Sequence, residues 1–410
     1  PIAVILVEYM FRITWFYTEI DVKTASILII GAGVIGTSIA FHLAKQGCND
    51  VVVLEKNYIG SGSTEKCAGG IRQQFSLEAD IRLSMESVKF FSHFEDETGH
   101  HSDFRQNGYL ILATTDDDMK ALRQNVEQQR TLGLEVDLLS SSEVMEMVPQ
   151  LRPDDILGGS FCRSDGYADP YSVVNGFASA ARKHGVQIIE DTEIIEITEK
   201  KNGVKEITTN GDKLETPVIV NAAGPYAKLI GKMIGLDIPV CPAKRHIFIT
   251  ETIYHSEFID NPVWARFPMI VDFHSGLWLR REGPCLIFGK RNPEEPEGFD
   301  MSIDWDYFTE IVGPEICYRF PIFENIGIMR AQAGLHSDTP DNMAILGNAP
   351  GLEGVYLACG FSGHGFMHSP AVGRIMAELI LNGETSFTDI SLFCLDRFKK
   401  PVQIKETSFI

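Results

Sequence analysis

Three glycines early in the chain have the spacing that binds a dinucleotide. They are Gly31, Gly33 and Gly36, and they directly follow the apolar run Ile27–Ile30. In a strand–turn–helix unit the first glycine allows a sharp turn, the second lets backbone approach a pyrophosphate, and the third lets helix and strand pack closely. Glu55 ends the next apolar run, where its carboxylate can accept both ribose hydroxyls. The pattern predicts a dinucleotide site but does not by itself separate NAD from FAD.

The loop after Glu55 is small, hydroxylated and rich in glycine. It reads GSGST over Gly60–Thr64 and CAGGIRQQF over Cys67–Phe75. A nicotinamide enzyme would continue into another regular crossover here, whereas this loop suits close wrapping around a planar ring system. Within it, Arg72 carries a guanidinium that can fork onto both oxygens of a carboxylate. Arg72 can equally bind loop carbonyls or the cofactor, and the sequence leaves these roles open.

A second glycine-rich turn lies late in the chain. Gly360–Gly365 follows a strand predicted over Val355–Ala358 and is too rich in glycine for side-chain recognition. Ser369 is a good N-cap and Pro370 a good first residue for a helix predicted over 371–381. The turn should therefore present a helix N-terminus behind exposed backbone, where N–H groups and the helix dipole favour negative charge.

Together these segments resemble the D-amino-acid oxidase superfamily of flavoproteins, and within it the sarcosine oxidase β-subunits and archaeal L-proline dehydrogenase β-subunits. The matching text is GSGST, GGIRQQF, DGYADPY (165–171), VNAAGPYA (220–227) and GFSGHGFMHSPAVG (360–373). The resemblance implies FAD as cofactor, with the last turn at the flavin's pyrimidine edge, where it would stabilise the charge of the reduced ring. The residues it assigns to FAD are Gly31, Gly33, Val34, Ile35, Gly36, Glu55, Lys56, Ser61, Gly62, Ser63, Thr64, Gly69, Gly70, Ile71, Ala223, Gly224, Gly334, Gly360, Gly363, His364, Gly365, Phe366 and Met367.

The same resemblance implies that Arg72 binds the substrate carboxylate, as an arginine does in monomeric sarcosine oxidases. Three positions depart from those enzymes. Met367 stands where they have a lysine that helps to bind the carboxylate, and Gly334 stands where they attach FAD to a cysteine. Their oxygen-activating lysine falls at or near Ile287. We therefore expect non-covalent FAD, and a dehydrogenase rather than an oxidase.

Two histidines of the last motif, His364 and His368, are further candidate catalytic residues. His368 can act as a base if it reaches the pocket, whereas His364 is better placed to shape the glycine turn. Either one can equally be structural. His336 lies close to a motif, and Arg330 and Tyr254 are weaker pocket candidates. No pattern of residues predicts a metal site.

The nucleotide motifs lie at both ends and in the middle of the chain, so the predicted FAD-binding domain is discontinuous. Its predicted segments are residues 26–85, 150–225 and 325–390. The substrate domain takes residues 86–149 and 226–324, where alternating apolar and polar residues predict an antiparallel sheet. The predicted flanking segments are an apolar extension (1–25) and a tail (391–410). The fold class is therefore α/β with two domains, a Rossmann-like one and one built on an antiparallel sheet, with the pocket between them.

Composition excludes several kinds of partner. With 36 basic and 56 acidic side chains, the net charge of -20 would repel nucleic acid. The eight cysteines form no CxxC pair, so we expect reduced thiols in the cytoplasm rather than a metal site or a disulfide scaffold. The apolar stretch 2–17 contains Glu8 and Arg12 and is too short to span a bilayer. We therefore expect no membrane anchor.

The sequence predicts an FAD-dependent oxidoreductase that removes a hydride from the carbon next to the nitrogen of a small amino or imino acid. Sarcosine, proline and glycine fit this description, and partner subunits or an electron acceptor can complete the reaction. Two alternatives stay open. One is a 2-hydroxyacid or glycerol-phosphate dehydrogenase on the same fold, and the other is a non-catalytic FAD-binding assembly subunit.

Overall fold

The computed structural model describes residues 23–253, 262–387, 389–399 and 404–408. Its strands are β1 (Ile27–Ile30), β2 (Val51–Leu54), β3 (Gly70–Ile71), β4 (Tyr109–Ala113), β5 (Asp137–Ser140), β6 (Gly158–Cys162), β7 (Gly166–Tyr167), β8 (Gln187–Ile189), β9 (Ile194–Glu199), β10 (Lys205–Thr209), β11 (Lys213–Thr216), β12 (Val218–Asn221), β13 (Cys241–Thr250), β14 (Met269–Asp272), β15 (Leu277–Glu282), β16 (Cys285–Lys290), β17 (Ile328–Asp338), β18 (Ile345–Asn348) and β19 (Val355–Cys359).

The α-helices are α1 (Val34–Lys45), α2 (Glu78–Ser92), α3 (Phe94–Thr98), α4 (Asp116–Thr131), α5 (Ser141–Met147), α6 (Pro170–Lys183), α7 (Ala227–Met233), α8 (Pro262–Ala265), α9 (Trp305–Tyr307), α10 (Gly313–Arg319) and α11 (Gly365–Asn382). Several begin at the caps that their sequences favour. The predicted capping box of Ser140 and Glu143 starts α5, and Asp169 caps α6 ahead of Pro170.

A six-stranded sheet in the order β18-β19-β12-β1-β2-β8 forms one half of the fold. All its pairings are parallel except that of β18 with β19. All residues of β1 and β2 are buried, as expected for parallel strands that are covered on both faces. Helix α1 packs on α6, with the rings of Phe41 and Phe177 5.6 Å apart. It also packs on α11, where the Ser38 hydroxyl donates to the Ser369 carbonyl at 2.8 Å.

An eight-stranded sheet in the order β17-β13-β16-β15-β14-β4-β6-β5 forms the other half. Its pairings are antiparallel apart from that of β14 with β4. The two sheets confirm the predicted fold class. The exact domain ranges remain a prediction, and two strands differ from them. Strands β6 and β17 fall in segments assigned to the FAD-binding domain, yet they join this second sheet because their hydrogen-bond partners are β4, β5 and β13.

Helix α11 begins earlier than its sequence predicts. Its N-cap is His364 and its first residue is Gly365, so Ser369 and Pro370 lie inside the helix rather than at its start. Proline lacks the N–H that would bond the carbonyl four residues back. Here that carbonyl belongs to Phe366, and it accepts the Ser369 hydroxyl at 2.8 Å instead. The prediction that Ser369 caps the helix is therefore wrong. Its hydroxyl instead supplies the hydrogen bond to the Phe366 carbonyl that Pro370 cannot donate.

The ends of the chain are described only in part. Residues 1–22, which make up most of the predicted apolar extension, lie outside the described residues. Within the described ranges, no helix is both long and apolar enough to cross a membrane. In the predicted tail, Leu395 and Glu406 are buried, so this stretch contributes to the packed core.

Candidate functional site

The predicted dinucleotide turn joins β1 to α1 with very little space around its glycines. Gly31 has φ 103°, and a Cβ on it would lie 2.6 Å from the Ala222 carbonyl oxygen. A Cβ on Gly36 would lie 1.9 Å from the Gly31 oxygen, so only glycine lets the helix meet the turn. At Gly33, by contrast, a Cβ would meet only the Thr64 hydroxyl, at 3.4 Å. Open space therefore remains where a pyrophosphate would approach the backbone.

Polar groups surround this turn on the side of β2. The Glu55 carboxylate accepts the Ala32 N–H at 2.9 Å and the Asn57 N–H at 3.0 Å. The Val34 N–H, at the start of α1, donates to the Thr64 hydroxyl at 3.0 Å. The N–H groups of a first helical turn have no partner within the helix. With that of Val34 bound to Thr64, those of Ile35 and Gly36 offer donors at the positive end of the α1 dipole. An acid on the ribose side and donors on the phosphate side fit a dinucleotide.

The loop from Lys56 to Ile71 closes over the same edge of the sheet. Lys56 lies above the Tyr226 ring, with its Nζ 3.2 Å from the ring centroid. Gly62 is exposed and Ser61 is half-buried, whereas the Ser63 hydroxyl donates to the Leu335 carbonyl at 2.5 Å. The loop therefore crosses to β17 of the second sheet.

The end of this loop and the turn after β12 supply further backbone to the site. Gly69 has φ 70°, and a Cβ on it would lie 2.2 Å from the Ala168 oxygen. Gly70 and Ile71 pair with β7. Ala223 and Gly224 follow β12, the strand next to β1, and a Cβ on Gly224 would meet nothing within 4 Å.

The turn before α11 brings its backbone against the second sheet. A Cβ on Gly363 would lie 2.7 Å from the His336 ring, and one on Gly360 would lie 2.6 Å from the Thr339 side chain. Gly365 then opens the helix. The N-terminus of α11 therefore points towards the region between the sheets, as the predicted role at the flavin's charged edge requires.

A cavity lies between this turn, the loop before Arg72 and strands β13, β15 and β16 of the second sheet. Gly69, Gly70, Gly363, His364, Phe366 and Met367 line it, as do residues of the second sheet. No acidic side chain lines it among the described residues, whereas five basic ones do, namely Lys66, Arg72, Arg245, Lys290 and Arg291. Three of these five pair with acids outside the lining. In a chain of net charge -20, a lining of cations without acids still favours anions.

Arg72 is buried in the wall of the cavity, with 2% of its surface exposed. Its Nη1 donates to the Gln74 carbonyl at 3.2 Å and its Nη2 to the Ser408 carbonyl at 2.8 Å. Nη2 also lies 3.4 Å from Nε2 of His364, and the guanidinium carbon lies 4.3 Å from the centre of the Phe75 ring. The structure thus shows the predicted loop-carbonyl contacts, and all these partners are neutral acceptors or rings.

The structure separates the candidate histidines. His364 lines the cavity, and burial, then the charge of Arg72, hold its pKa well below the usual value. His368 lies instead between α11 and α2, where its Nε2 is 2.9 Å from the Ser84 hydroxyl, and burial lowers its pKa to about 3. It is not among the residues that line the cavity, so this position does not favour the predicted role as a base.

His336, which the sequence marks only by its closeness to a motif, lines the cavity from β17. Burial, then the charges of Arg245 and Arg291, hold its pKa well below the usual value. Its Nδ1 has no hydrogen-bond partner among the described residues and lies 3.7 Å from an Asp338 oxygen. It is therefore a neutral imidazole at the edge of the cavity.

The second sheet supplies cavity residues that sequence analysis missed. Arg245 on β13 pairs with Asp338 at 2.7 Å, and Arg291 follows β16. Trp278 on β15 and Tyr109 on β4 also line the cavity. No motif marks these residues in the sequence, because their place at the cavity depends on how distant strands pair in the second sheet. Of the weaker candidates, Arg330 is exposed and Tyr254 lies outside the described residues.

The positions that depart from monomeric sarcosine oxidases lie around the same region. Gly334 faces Lys66, and a Cβ on it would lie 2.6 Å from the Lys66 Cβ. The nearby Cys67 is half-buried, and desolvation raises the pKa of its thiol to about 11. Ile287 is buried in β16 and is not among the lining residues, whereas Lys290 is. The Lys290 ammonium binds the Ser275 carbonyl at 2.6 Å and Glu315 at 2.7 Å.

No group of three or more metal-binding side chains occurs in the described part of the chain. The residues present fit FAD on structural grounds. The open backbone at Gly33, the carboxylate of Glu55 and two helix N-termini suit a diphosphate and a ring that becomes negatively charged. The cationic cavity lies beyond the α11 terminus, where the ring would meet a small anionic molecule.

Comparison with known proteins agrees with this geometry. The DAO family, described as FAD dependent oxidoreductase, matches residues 26–379. The chain is 31% identical to rat mitochondrial dimethylglycine dehydrogenase over 385 residues, which cover 90% of this chain and 44% of that protein. It is 29% identical to the Xenopus laevis FAD-dependent oxidoreductase domain-containing protein 1, with 96% and 86% covered.

Solved structures give the same result. L-proline dehydrogenase from P. horikoshii matches with a TM-score of 0.85 and 33% identity, covering 92% of this chain and 98% of that one. The chain spans less than half the length of the rat relative, so that protein's whole activity does not transfer directly. The family match covers most of the chain, and its cofactor fits the site. The chain therefore belongs to the DAO family of FAD-dependent oxidoreductases.

Proposed function

We propose that this chain oxidises a small amino or imino acid, and that Arg72 binds the carboxylate of the substrate. The observation that carries the proposal is the state of this arginine. It lines the cavity, is almost fully buried, and makes no ion pair among the described residues. A buried charge without a charged partner is costly. An anion in the cavity would remove that cost.

The other buried arginines differ from Arg72 in this respect. Arg280 pairs with Glu282, and Arg397 pairs with Asp341. Arg319 pairs with both Asp155 and Asp272, at 2.7 and 2.8 Å. Among the buried arginines that the structure describes, Arg72 alone has no protein carboxylate as an ion-pair partner. A planar fork of donors is well suited to a carboxylate.

The charges around the cavity also favour the reactive form of the substrate. A nearby positive charge disfavours a second one and lowers the pKa of a base. Burial is the larger cause of the low pKa values of His336 and His364, and the charges of nearby arginines lower both further. The same charges would lower the pKa of a substrate amine, so that it is held neutral. His336, a neutral imidazole at the edge of the cavity, can exchange a hydrogen bond with that neutral amine.

Bound FAD supplies the acceptor for the hydride that leaves the carbon next to the nitrogen. The N–H groups at the start of α11 would stabilise the negative charge that follows. For the electron acceptor we propose a partner protein or small carrier rather than oxygen. This is supported by Ile287 at the predicted place of an oxygen-activating lysine and by the engagement of Lys290 with Glu315. The dehydrogenases named among the similar proteins also support it.

Anaerobic reduction of the flavin tests the proposal. Purified FAD-bound protein would receive sarcosine, L-proline, glycine, D-alanine or L-2-hydroxyglutarate without oxygen, while the visible absorbance of the flavin is recorded. We expect at least one amine to bleach it. Bleaching by the hydroxyacid alone would contradict the amine assignment and leave the fold intact. A flavin that none of the panel bleaches would favour the non-catalytic assembly subunit.

A further inference from the structure

The segment 404–408 passes beside Arg72, far from it in sequence, with Glu406 and Ser408 turned inwards and its other residues exposed. Glu406 is fully buried, and Ser408 is 2% exposed. The segment, here named the clasp, is held by main-chain and side-chain bonds on several sides. The Glu406 N–H donates to the Asp341 carbonyl at 3.1 Å, and Asn342 donates to the Glu406 carbonyl at 3.1 Å. Asn125 of α4 donates to the Ser408 hydroxyl at 3.0 Å.

The clasp binds the chain between Arg72 and α2. The Glu406 carboxylate accepts the N–H groups of Ser76 and Leu77, both at 3.0 Å, and the Ser76 hydroxyl at 2.6 Å. Leu77 is the N-cap residue of α2 and has no side-chain oxygen to cap it. Glu406 therefore supplies the acceptor and the negative charge that the N-terminus of α2 favours. This interaction fixes where the segment after Arg72 enters its helix.

The clasp also contacts the guanidinium directly. The Ser408 carbonyl accepts Nη2 of Arg72 at 2.8 Å, the shortest hydrogen bond that the structure gives this side chain. The Gln74 carbonyl and the Phe75 ring hold the guanidinium from its own loop. A planar fork binds a carboxylate well only when its plane is held in place. Without Ser408, Arg72 would keep only contacts from its own loop and the His364 ring.

The charges around Arg72 fit this arrangement. Asp80, in the first turn of α2, is 3% exposed and has an oxygen without a partner among the described residues. Burial, then the nearby charge of Glu406, hold the pKa of Asp80 well above its usual value. Glu406 is the acid whose carboxylate reaches the start of α2, and it accepts four N–H or O–H donors, from Ser76, Leu77 and Ser408. Neither acid forms an ion pair that would take Arg72 away from a ligand.

We propose that the clasp, residues 404–408, is a positioning element of the substrate site, which holds the guanidinium of Arg72 in the orientation that receives a carboxylate. The proposal rests on the proposed function of Arg72. A purely structural clasp would change stability alone. A positioning clasp also changes the affinity for carboxylates, and this difference makes it testable.

The test is the binding of acetate to the FAD-bound protein, followed by the change in flavin absorbance. In one variant the clasp is replaced by Gly-Ser-Gly-Ser-Gly, and its control carries Gly-Ser-Gly in the exposed turn 201–203. We expect the acetate Kd to rise about tenfold in the clasp variant, with FAD content unchanged, and to stay at the wild-type value in the control. An unchanged Kd in a clasp variant that retains FAD would overturn the proposal.

A milder variant decides the matter if the replaced chain does not fold. Asn125→Ala removes only the side-chain anchor of Ser408, and its exposed neighbour Gln124→Ala is the matched control. We expect a rise of roughly threefold in the acetate Kd for Asn125→Ala alone, and equal values for the two variants would overturn the proposal. Arg72→Gln is measured beside them. If Arg72→Gln also binds acetate normally, the proposed function fails, whereas a loss confined to Arg72→Gln refutes the clasp alone.

Discussion

Replacement of Arg72 should remove recognition of the substrate carboxylate and leave the rest of the reaction in place. Arg72→Gln keeps a polar side chain in the loop but loses both the charge and the fork. Arg72→Lys keeps the charge as a single point on a flexible stem. Because the guanidinium is 2% exposed and makes no protein ion pair among the described residues, its charged partner in the proposed complex is the substrate.

The size of the effect follows from burial. Removal of one partner from a buried ion pair costs about 3–5 kcal/mol, and about 1.4 kcal/mol is a factor of ten. We therefore expect kcat/KM to fall by roughly 10²- to 4 × 10³-fold in Arg72→Gln. In Arg72→Lys, which retains the charge and one hydrogen bond, the fall should be about tenfold.

The assay compares L-proline with pyrrolidine, the same ring without its carboxylate, by the rate of flavin reduction without oxygen. In Arg72→Gln the rate for L-proline should fall towards that for pyrrolidine, which itself should change little. Arg319→Lys is the control, since Arg319 is equally buried but does not line the cavity. It should lose stability and keep the preference for L-proline. If the ratio of the two rates is unchanged in Arg72→Gln, the assignment of Arg72 is refuted. If the substrate screen identifies sarcosine instead, sarcosine and dimethylamine form the equivalent pair.

Three further predictions concern the cofactor and the fold. Burial lowers the pKa of His42 in α1 from 6.5 to about 4. Between these values the unfolded chain binds the proton and the folded chain does not. The free energy of unfolding is therefore lost as pH falls through this window, by about 3 kcal/mol. Urea unfolding of His42→Asn should show a correspondingly weaker pH dependence. The same pH dependence in the variant and the wild type would contradict this prediction. Gly33→Ala has room for its methyl group, so the stability of its apo-protein should match that of the control Gly298→Ala. Its affinity for FAD should fall by about tenfold or more. Equal FAD affinities in the two variants would show that the pyrophosphate does not bind at Gly33. Acid precipitation should release all the flavin into the supernatant, because Gly334 offers no side chain for attachment; a yellow pellet would show a covalent bond.

Local sequence predicts the nucleotide-binding half of the fold well. The turn at Gly31 and Gly36 is specified by contacts within the β1–α1 unit and with the adjacent β12, and a single strand–turn–helix pattern carries most of that information. The start of α11 shows where local rules fail. Ser369 and Pro370 form a good helix start by sequence, yet the Ser369 hydroxyl replaces the hydrogen bond that Pro370 removes, and the helix continues through them.

The sequence predicts only those cavity residues that lie within recognisable motifs. Arg72 and His364 lie in recognisable segments. Arg245 lies on β13 and Arg291 directly follows β16, so the positions of both depend on the pairing of β13 with β16 and β17. Alternation alone does not show which pairing a strand adopts. The contact between Glu406 and Ser76 joins residues 330 apart. No local pattern marks that glutamate as a helix cap.

A crystal structure of the FAD-bound protein with acetate tests the central claim most directly. The account predicts acetate in the cavity with both oxygens about 3 Å from the guanidinium nitrogens of Arg72, and with the Ser408 carbonyl still bound to that side chain. Acetate bound at Arg245 or Arg291, with Arg72 contacting only protein carbonyls, would contradict it.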